Sequence, residues 1–205
     1  SRRVMNTLRE FSPLVEEYSI DESFVDLSGH SMFRVNEMAV EIKRRVERNT
    51  GIPVGVGVGK TKALSKLANR YAKKESKNNH VYVVDSEEKR IHLLKNIAVK
   101  DVWGIGRKHA VRVEQAGAKT AYDFSLLPVA WVRKHMSVIG ERLWRELQGV
   151  ACNELIEMPS PKKGIGTAKS FGYKLKDYGL IEEACAFYVA EVADLLRQQH
   201  CAAGK

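Results

Sequence analysis

No stretch of eighteen apolar residues occurs in this chain, so no segment of it reads as a membrane span. The first ten residues, SRRVMNTLRE, lack the apolar core of a signal peptide. They also lack an initiator methionine, which suggests a processed or excised piece. The three cysteines, Cys152, Cys185 and Cys201, show no CxxC spacing and no histidine pattern beside them. Zinc sites and disulfide frameworks are thereby set aside, and the thiols read as reduced, as in a cytoplasmic protein. Internal repeats and low-complexity tracts are absent. The chain does hold an excess of positive charge: 34 Lys and Arg against 25 Asp and Glu, a net charge of +9. A balance of this size favours a polyanionic partner, although a solvated basic surface has the same composition.

Hydrophobic patterning divides the 205 residues into three parts. In the first, Val4, Leu8 and Phe11 share a helical face that Pro13 closes. LVEEYSIDESFVDLSG reads as strand and turn. Val35, Met38, Ile42 and Val46 stripe a second helix ended by Gly51 and Pro53. PVGVGV reads as a short strand, Leu64, Leu67, Ala68 and Tyr71 stripe a third helix, and HVYVVD is a further strand. The order is helix, hairpin, helix, strand, helix, strand, an α/β layer spanning residues 1–85. Residues 86–160 read as short helices broken at Gly104, Gly106, Gly117 and Gly149, ending in the linker MPSPKKG. Residues 161–205 read as a strand over IGTAKSFGYKLKDY and a long helix from Ile181 to His200.

GVGVGKTKALSKLANRYAKK, residues 55–74, invites comparison with a nucleotide-binding P-loop. Gly59, Lys60 and Thr61 supply the end of G-x-x-x-x-G-K-[ST], but the first glycine should stand at position 54, which is Val54. A loop that wraps phosphate with backbone amides at fixed positions does not tolerate that slip. The stretch still carries phosphate chemistry. Lys62, Lys66, Arg70 and Lys73 fall on one helical face, and Lys62 sits in the first turn, where a cation is unfavourable unless an anion intervenes. Asp21 and Glu22 are adjacent between two apolar segments, and at a hairpin tip both can reach one cation. Two hard carboxylates near a phosphate-binding lysine suit Mg²⁺ and metal-assisted phosphoryl or nucleotidyl transfer. Glu16 and Glu17 read as solvated and Asp26 as structural.

Gly104-Ile105-Gly106, followed by Ala110 and Val113 and closed by Gly117 and Thr120, fits a helix-hairpin-helix, with Arg107 and Lys108 adding charge. Such a turn lets backbone N–H groups meet a phosphate without reading sequence. A dinucleotide-binding reading fails because His109 stands where the third glycine is required. Lys162, Lys163, Lys169, Lys174 and Lys176 form a second basic stretch, equally readable as lysines guarding an edge strand. Trp103, Trp131 and Trp144 read as core, and His109 and His135 as surface groups.

Taken in order, YSIDESFVDLSG, GIPVGVGVGKTKALSKLANRYAKK, VWGIGRKHA and KSFGYKLKDY resemble the Y-family translesion DNA polymerases, and most of all the UmuC type with its ImpB/MucB/SamB-like relatives. The resemblance covers nearly the whole chain and implies an α+β fold. Residues 1–85 would be a partial palm, a sheet with helices on one face, lacking its first strand and the fingers. Residues 86–160 would be a helical thumb with the helix-hairpin-helix, and residues 161–205 the truncated start of an α/β little finger. It implies error-prone primer extension past damaged template in DNA repair and the SOS response. Asp21 and Glu22 would be two of three carboxylates holding two Mg²⁺ ions, and Lys62 would contact the triphosphate of the incoming dNTP. Gly104, Ile105, Gly106, Arg107, Lys108, Lys169, Ser170 and Lys174 would contact primer-template DNA. A sliding clamp and a UmuD-like accessory subunit are further implied partners of the parent enzyme, and this piece alone is expected to be inactive. The competing reading is a non-catalytic DNA-binding module that uses the hairpin and the basic stripes alone.

Overall fold

The computed structural model describes residues 2–74, 79–156 and 164–203. The chain divides into two compact units, residues 1–157 and 158–205. The first begins α1 (Arg2–Arg9), β1 (Val15–Glu17), β2 (Ser23–Val25), α2 (Met32–Thr50), β3 (Val56–Val58), α3 (Lys62–Lys74) and β4 (Val81–Val83), the element order expected from the patterning. It continues with α4 (Glu87–Lys95), a 3₁₀ turn (Val99–Asp101), α5 (Arg107–Gln115), α6 (Ala121–Leu126) and α7 (Val129–Leu147). In the second unit the described element is α8 (Tyr178–Gln198).

Helix α2 shows why the stripes were legible. Ser31 caps it by accepting the Arg34 N–H, and Gly51 ends it in the left-handed conformation at φ +72°. Between the caps, Val35, Ala39, Ile42 and Val46 are buried. Strands β3 and β4 pair in parallel, Val56 with Val81 and Val58 with Val83, with α3 as the crossover. Their side chains alternate between two helices. Val56, Val58, Val81 and Val83 pack against Val35 and Ala39 of α2. On the other face Tyr82 meets Tyr71 of α3, with ring centroids 4.7 Å apart. The expectation of helices on one face therefore needs correction at this strand pair: parallel strands bury both faces, and here a helix covers each.

The glycines of this stretch have a packing role. A Cβ on Gly57 would lie 2.0 Å from the Asn69 backbone N and 2.4 Å from the Ser65 carbonyl oxygen, so α3 lies directly against the strand backbone. Gly57→Ala is expected to destabilise the protein by about 1–3 kcal/mol, measured by urea unfolding, because the clash is with backbone that cannot rotate away. A neutral substitution would show that α3 is free to shift.

Helices α3 to α7 share one core, in which Leu64, Leu67, Leu93, Ile97, Val113, Phe124 and Leu147 are fully or almost fully buried. A buried carboxylate joins α7 to α3. Glu146 Oε2 accepts the Ala63 N–H at 2.9 Å, and its Oε1 accepts from Asn153 through N–H at 2.9 Å and Nδ2 at 2.7 Å. Its carbonyl accepts the Thr61 hydroxyl. An anion at the first turn of α3 offsets the helix dipole, and this one is a side chain of the chain itself. Helix α7 is longer than the short helices expected and bends at Ser137, at φ +62°.

The second unit differs from expectation in one element. The stretch 165–178, read as a strand, forms none: no described strand in the unit offers its backbone as a ladder partner, and an unpaired strand is not stable. Helix α8 begins at Tyr178, where Asp177 caps it, three residues before the expected Ile181. Lys162 and Lys163 and the linker preceding Gly164 lie outside the described residues. Among the described residues no helix is long and apolar enough to cross a membrane, and all three cysteines are free thiols.

Candidate active site

Strands β1 and β2 form an antiparallel hairpin with Val15 opposite Val25 and Glu17 opposite Ser23. Its turn is closed by the Tyr18 and Ser19 N–H groups, both donating to the Glu22 carbonyl at 3.1 and 3.0 Å. This turn presents Asp21 and Glu22 together, Asp21 exposed and Glu22 half-buried. The Ser19 hydroxyl donates to Asp21 Oδ1 at 2.6 Å. That bond, chiefly, holds the Asp21 carboxyl below its ordinary range, and the charges of Lys73 and Lys66 act in the same direction. Asp21 is thus ionised and open at neutral pH.

Glu22 already has a cation. Lys66 Nζ donates to Glu22 Oε2 at 2.8 Å. Beside this pair a cleft of about 310 Å³ is lined by Glu22, Lys66, Asn69, Arg70, Lys73 and Trp103, among others. Arg70 is tied to Asp101 at 2.5 Å. The basic face of α3 expected from spacing therefore exists, but among the described residues Lys62, Lys66 and Arg70 of its four cations have acidic partners.

Lys62 is the third of these. Its side chain is 9% exposed, and Nζ lies 2.5 Å from Glu16 Oε2, whose side chain is 8% exposed. Glu16 also accepts the Ile156 N–H at 2.7 Å. The expectation that Glu16 is solvated is corrected: Val15 and Glu16 are both buried, and a buried carboxylate requires a counter-charge, which Lys62 supplies. The sequence held a signal for this pair, since a lysine in the first turn of a helix calls for an anion. That anion comes from β1, 46 residues upstream. Glu17 is exposed as expected, and Asp26 has the structural role assigned to it, accepting the Ser28 N–H and hydroxyl.

A hydrated Mg²⁺ takes one or two carboxylates and keeps several waters. The hard oxygens of Asp21 and Glu22, on one turn at the rim of a cleft, fit that donor set. No group of three or more His, Cys, Asp or Glu residues placed to hold a metal occurs among the described residues.

The second candidate surface is the turn before α5. Gly104 is at φ +87°, Ile105 is buried, and Gly106 caps α5 without a side chain, leaving Arg107 and Lys108 exposed on its first turn. The arm preceding it is the 3₁₀ turn Val99–Asp101, not an α-helix. His109, expected at the surface, is half-buried, and its Nδ1 is buried without a hydrogen-bond partner. His135 is half-buried too, stacked on Trp131 with centroids 4.5 Å apart. In the second unit Lys169 Nζ lies 5.4 Å from the Phe187 ring, while Ser170 and Lys174 are exposed. Trp131 and Trp144 border the main core. Trp103 does so as well, but its Nε1–H donates to Tyr18 at 3.1 Å, so it belongs equally to the hairpin.

Residues 1–70 match the model of the impB/mucB/samB family. Protein UmuC of Salmonella typhimurium is 41% identical over 98% of this chain and 48% of its own length. A DNA polymerase IV of Dehalococcoides mccartyi is 24% identical over 97% of the chain and 50% of its own length. The chain thus spans about half the length of the curated relatives it matches. Among solved structures, a Y-family DNA polymerase chimera of Dbh and Dpo4 superposes with a TM-score of 0.74 at 21% identity, over 95% of this chain and 56% of that one. The α+β fold is that of the Y-family polymerases, and the resemblance first drawn from the SIDES and GKTKALSKLAN motifs is to proteins that are relatives of this chain.

Proposed function

We propose that this chain, a homologue of the UmuC, SamB, ImpB and MucB proteins, is the palm-and-thumb portion of a translesion DNA polymerase, with residues 161–205 opening its little finger. The observation that carries the reading is the turn that presents Asp21 and Glu22 beside Lys66 and Lys73, at the rim of a cleft. Asp21 and Glu22 are the ligands offered to Mg²⁺, two ions in the complete enzyme. Held by Asp21 and Glu22, the metal would activate the primer hydroxyl and clamp the triphosphate. Lys66 and Lys73 bring positive charge to the side of the turn where the phosphates of a dNTP would lie. Lys62, expected at the triphosphate, is in this reading the buried counter-ion of Glu16. The turn at Gly104–Lys108 holds the backbone of primer-template DNA through N–H groups and two cations, with Lys169, Ser170 and Lys174 as further contacts. A cytoplasmic setting and contacts with a sliding clamp and a UmuD-like subunit belong to the same reading.

Two measurements test it. The full-length protein should extend a primer in the presence of Mg²⁺; a protein that binds DNA but extends nothing would favour the non-catalytic module. The affinity of the 205-residue chain for duplex DNA should fall linearly on a log–log plot against salt, with a slope of roughly 0.9 per phosphate neutralised. Arg107→Ala should lower that slope by about 1 while weakening all sequences alike. A slope unchanged by that substitution would remove the turn from the interface.

A further inference from the structure

Trp103 leads directly into Gly104, at the foot of the candidate DNA turn, yet its ring reaches the acidic turn. It meets Tyr18 edge to face, with centroids 5.6 Å apart, and donates Nε1–H to the Tyr18 hydroxyl. Phe24 completes the group, 5.7 Å from Tyr18. The Lys66 ammonium lies 4.3 Å from the Tyr18 ring centroid and 4.9 Å from that of Trp103. Aromatic faces attract cations, and indole does so most strongly. Lys66 thus has two independent holders, the Glu22 carboxylate and a pair of rings.

We propose that Trp103 is a positioning residue: its ring, fixed by the bond to Tyr18, keeps the Lys66 ammonium beside the acidic turn when Glu22 turns its carboxylate to another cation. This rests on the reading of Asp21 and Glu22 given above. A lysine without a partner is a strongly hydrated point charge on a flexible stem and would swing into water. Held over two faces, it stays where a phosphate arrives.

The test begins with the 205-residue chain, labelled with ¹³C at the lysine ε position. Ring currents should shift the Lys66 ε-methylene protons upfield, the signal being assigned by its loss in Lys66→Arg. Glu22→Gln should leave most of that shift, Trp103→Ala should remove most of it, and Trp103→Phe, which keeps a face and guards against misfolding, should retain part. Loss of the shift in Glu22→Gln with retention in Trp103→Ala would overturn the proposal. In the full-length protein Trp103→Ala should lower the kcat of primer extension about tenfold, a size that one cation–π contact can account for. Its KM for DNA should not change, and Trp103→Phe should recover most of the rate. Asp21→Asn in the same assay separates the two ideas. An active Asp21→Asn rejects the metal-binding reading itself. An inactive one, with Trp103→Ala extending normally, rejects only the role of Trp103.

Discussion

Asp21→Asn in the full-length protein is expected to reduce primer extension by about 1000-fold while leaving DNA affinity within about twofold. The size follows from losing a charged metal ligand, worth several kcal/mol of transition-state stabilisation at roughly 1.4 kcal/mol per factor of ten. The selectivity follows from position. Asp21 is exposed, and among the described residues its side chain is tied locally, to Ser19. Asparagine keeps the shape, the Ser19 hydroxyl still finds an acceptor oxygen, and stability should move by no more than about 0.5 kcal/mol. Glu22→Gln provides the contrast. It should also impair extension, but it removes the ion pair with Lys66 as well, so its effect mixes a lost ligand with a changed charge balance beside the turn. Because the Ser19 bond keeps Asp21 charged below the ordinary carboxylate range, Asp21 should stay ionised on mild acidification and lose its charge only as the pH falls below that range. Primer-extension kinetics alongside fluorescence-anisotropy DNA binding make the measurement. Extension by Asp21→Asn at wild-type rate would remove the acidic turn from the chemistry.

What was legible in the sequence was what depends on neighbours along the chain. The α2 stripe, the α3 stripe and the Gly-rich strand each needed only local periodicity, and all three elements stand close to where they were expected. The one-residue slip against the P-loop pattern was decisive for the same reason, and the structure gives those glycines another use: Gly57 lets α3 touch the strand. What was not legible depends on distant partners. Glu16 looked solvated because nothing near it in sequence is its counter-charge; Lys62 is. Glu146, which no pattern singled out, is fully buried, with its acceptors filled by Ala63, Cys152 and Asn153. The dipole argument had asked for an anion at the start of α3, and a phosphate was the natural candidate. Two carboxylates of the chain, Glu16 and Glu146, fill that place instead. The strand expected near residue 170 failed for the complementary reason: patterning can nominate a strand but cannot provide its partner.

Lys62→Met is expected to destabilise the chain by about 3–5 kcal/mol, because it strands the Glu16 carboxylate in a nearly dry site. The Ile156 N–H still donates to that carboxylate and softens the loss, but one N–H does not replace an ammonium. Glu16→Met should cost a similar amount by stranding Lys62. The double variant Glu16→Met/Lys62→Met should fall within about 1 kcal/mol of the parent chain, since apolar pairs commonly replace buried ion pairs without loss. Phe24, 5.3 Å from the Lys62 ammonium, offers the new side chains an apolar wall. Urea unfolding of the four proteins closes the cycle, and single variants costing less than about 1 kcal/mol each would mean that the pair is not dry. The same double variant, placed in the full-length protein, decides between two uses of Lys62. If Lys62 is a counter-ion, a stable double variant extends primers at close to the parent rate, and that is the expected result. If it loses extension while remaining folded and binding DNA, Lys62 leaves Glu16 to meet the triphosphate, and the buried pair is the resting position of a mobile cation.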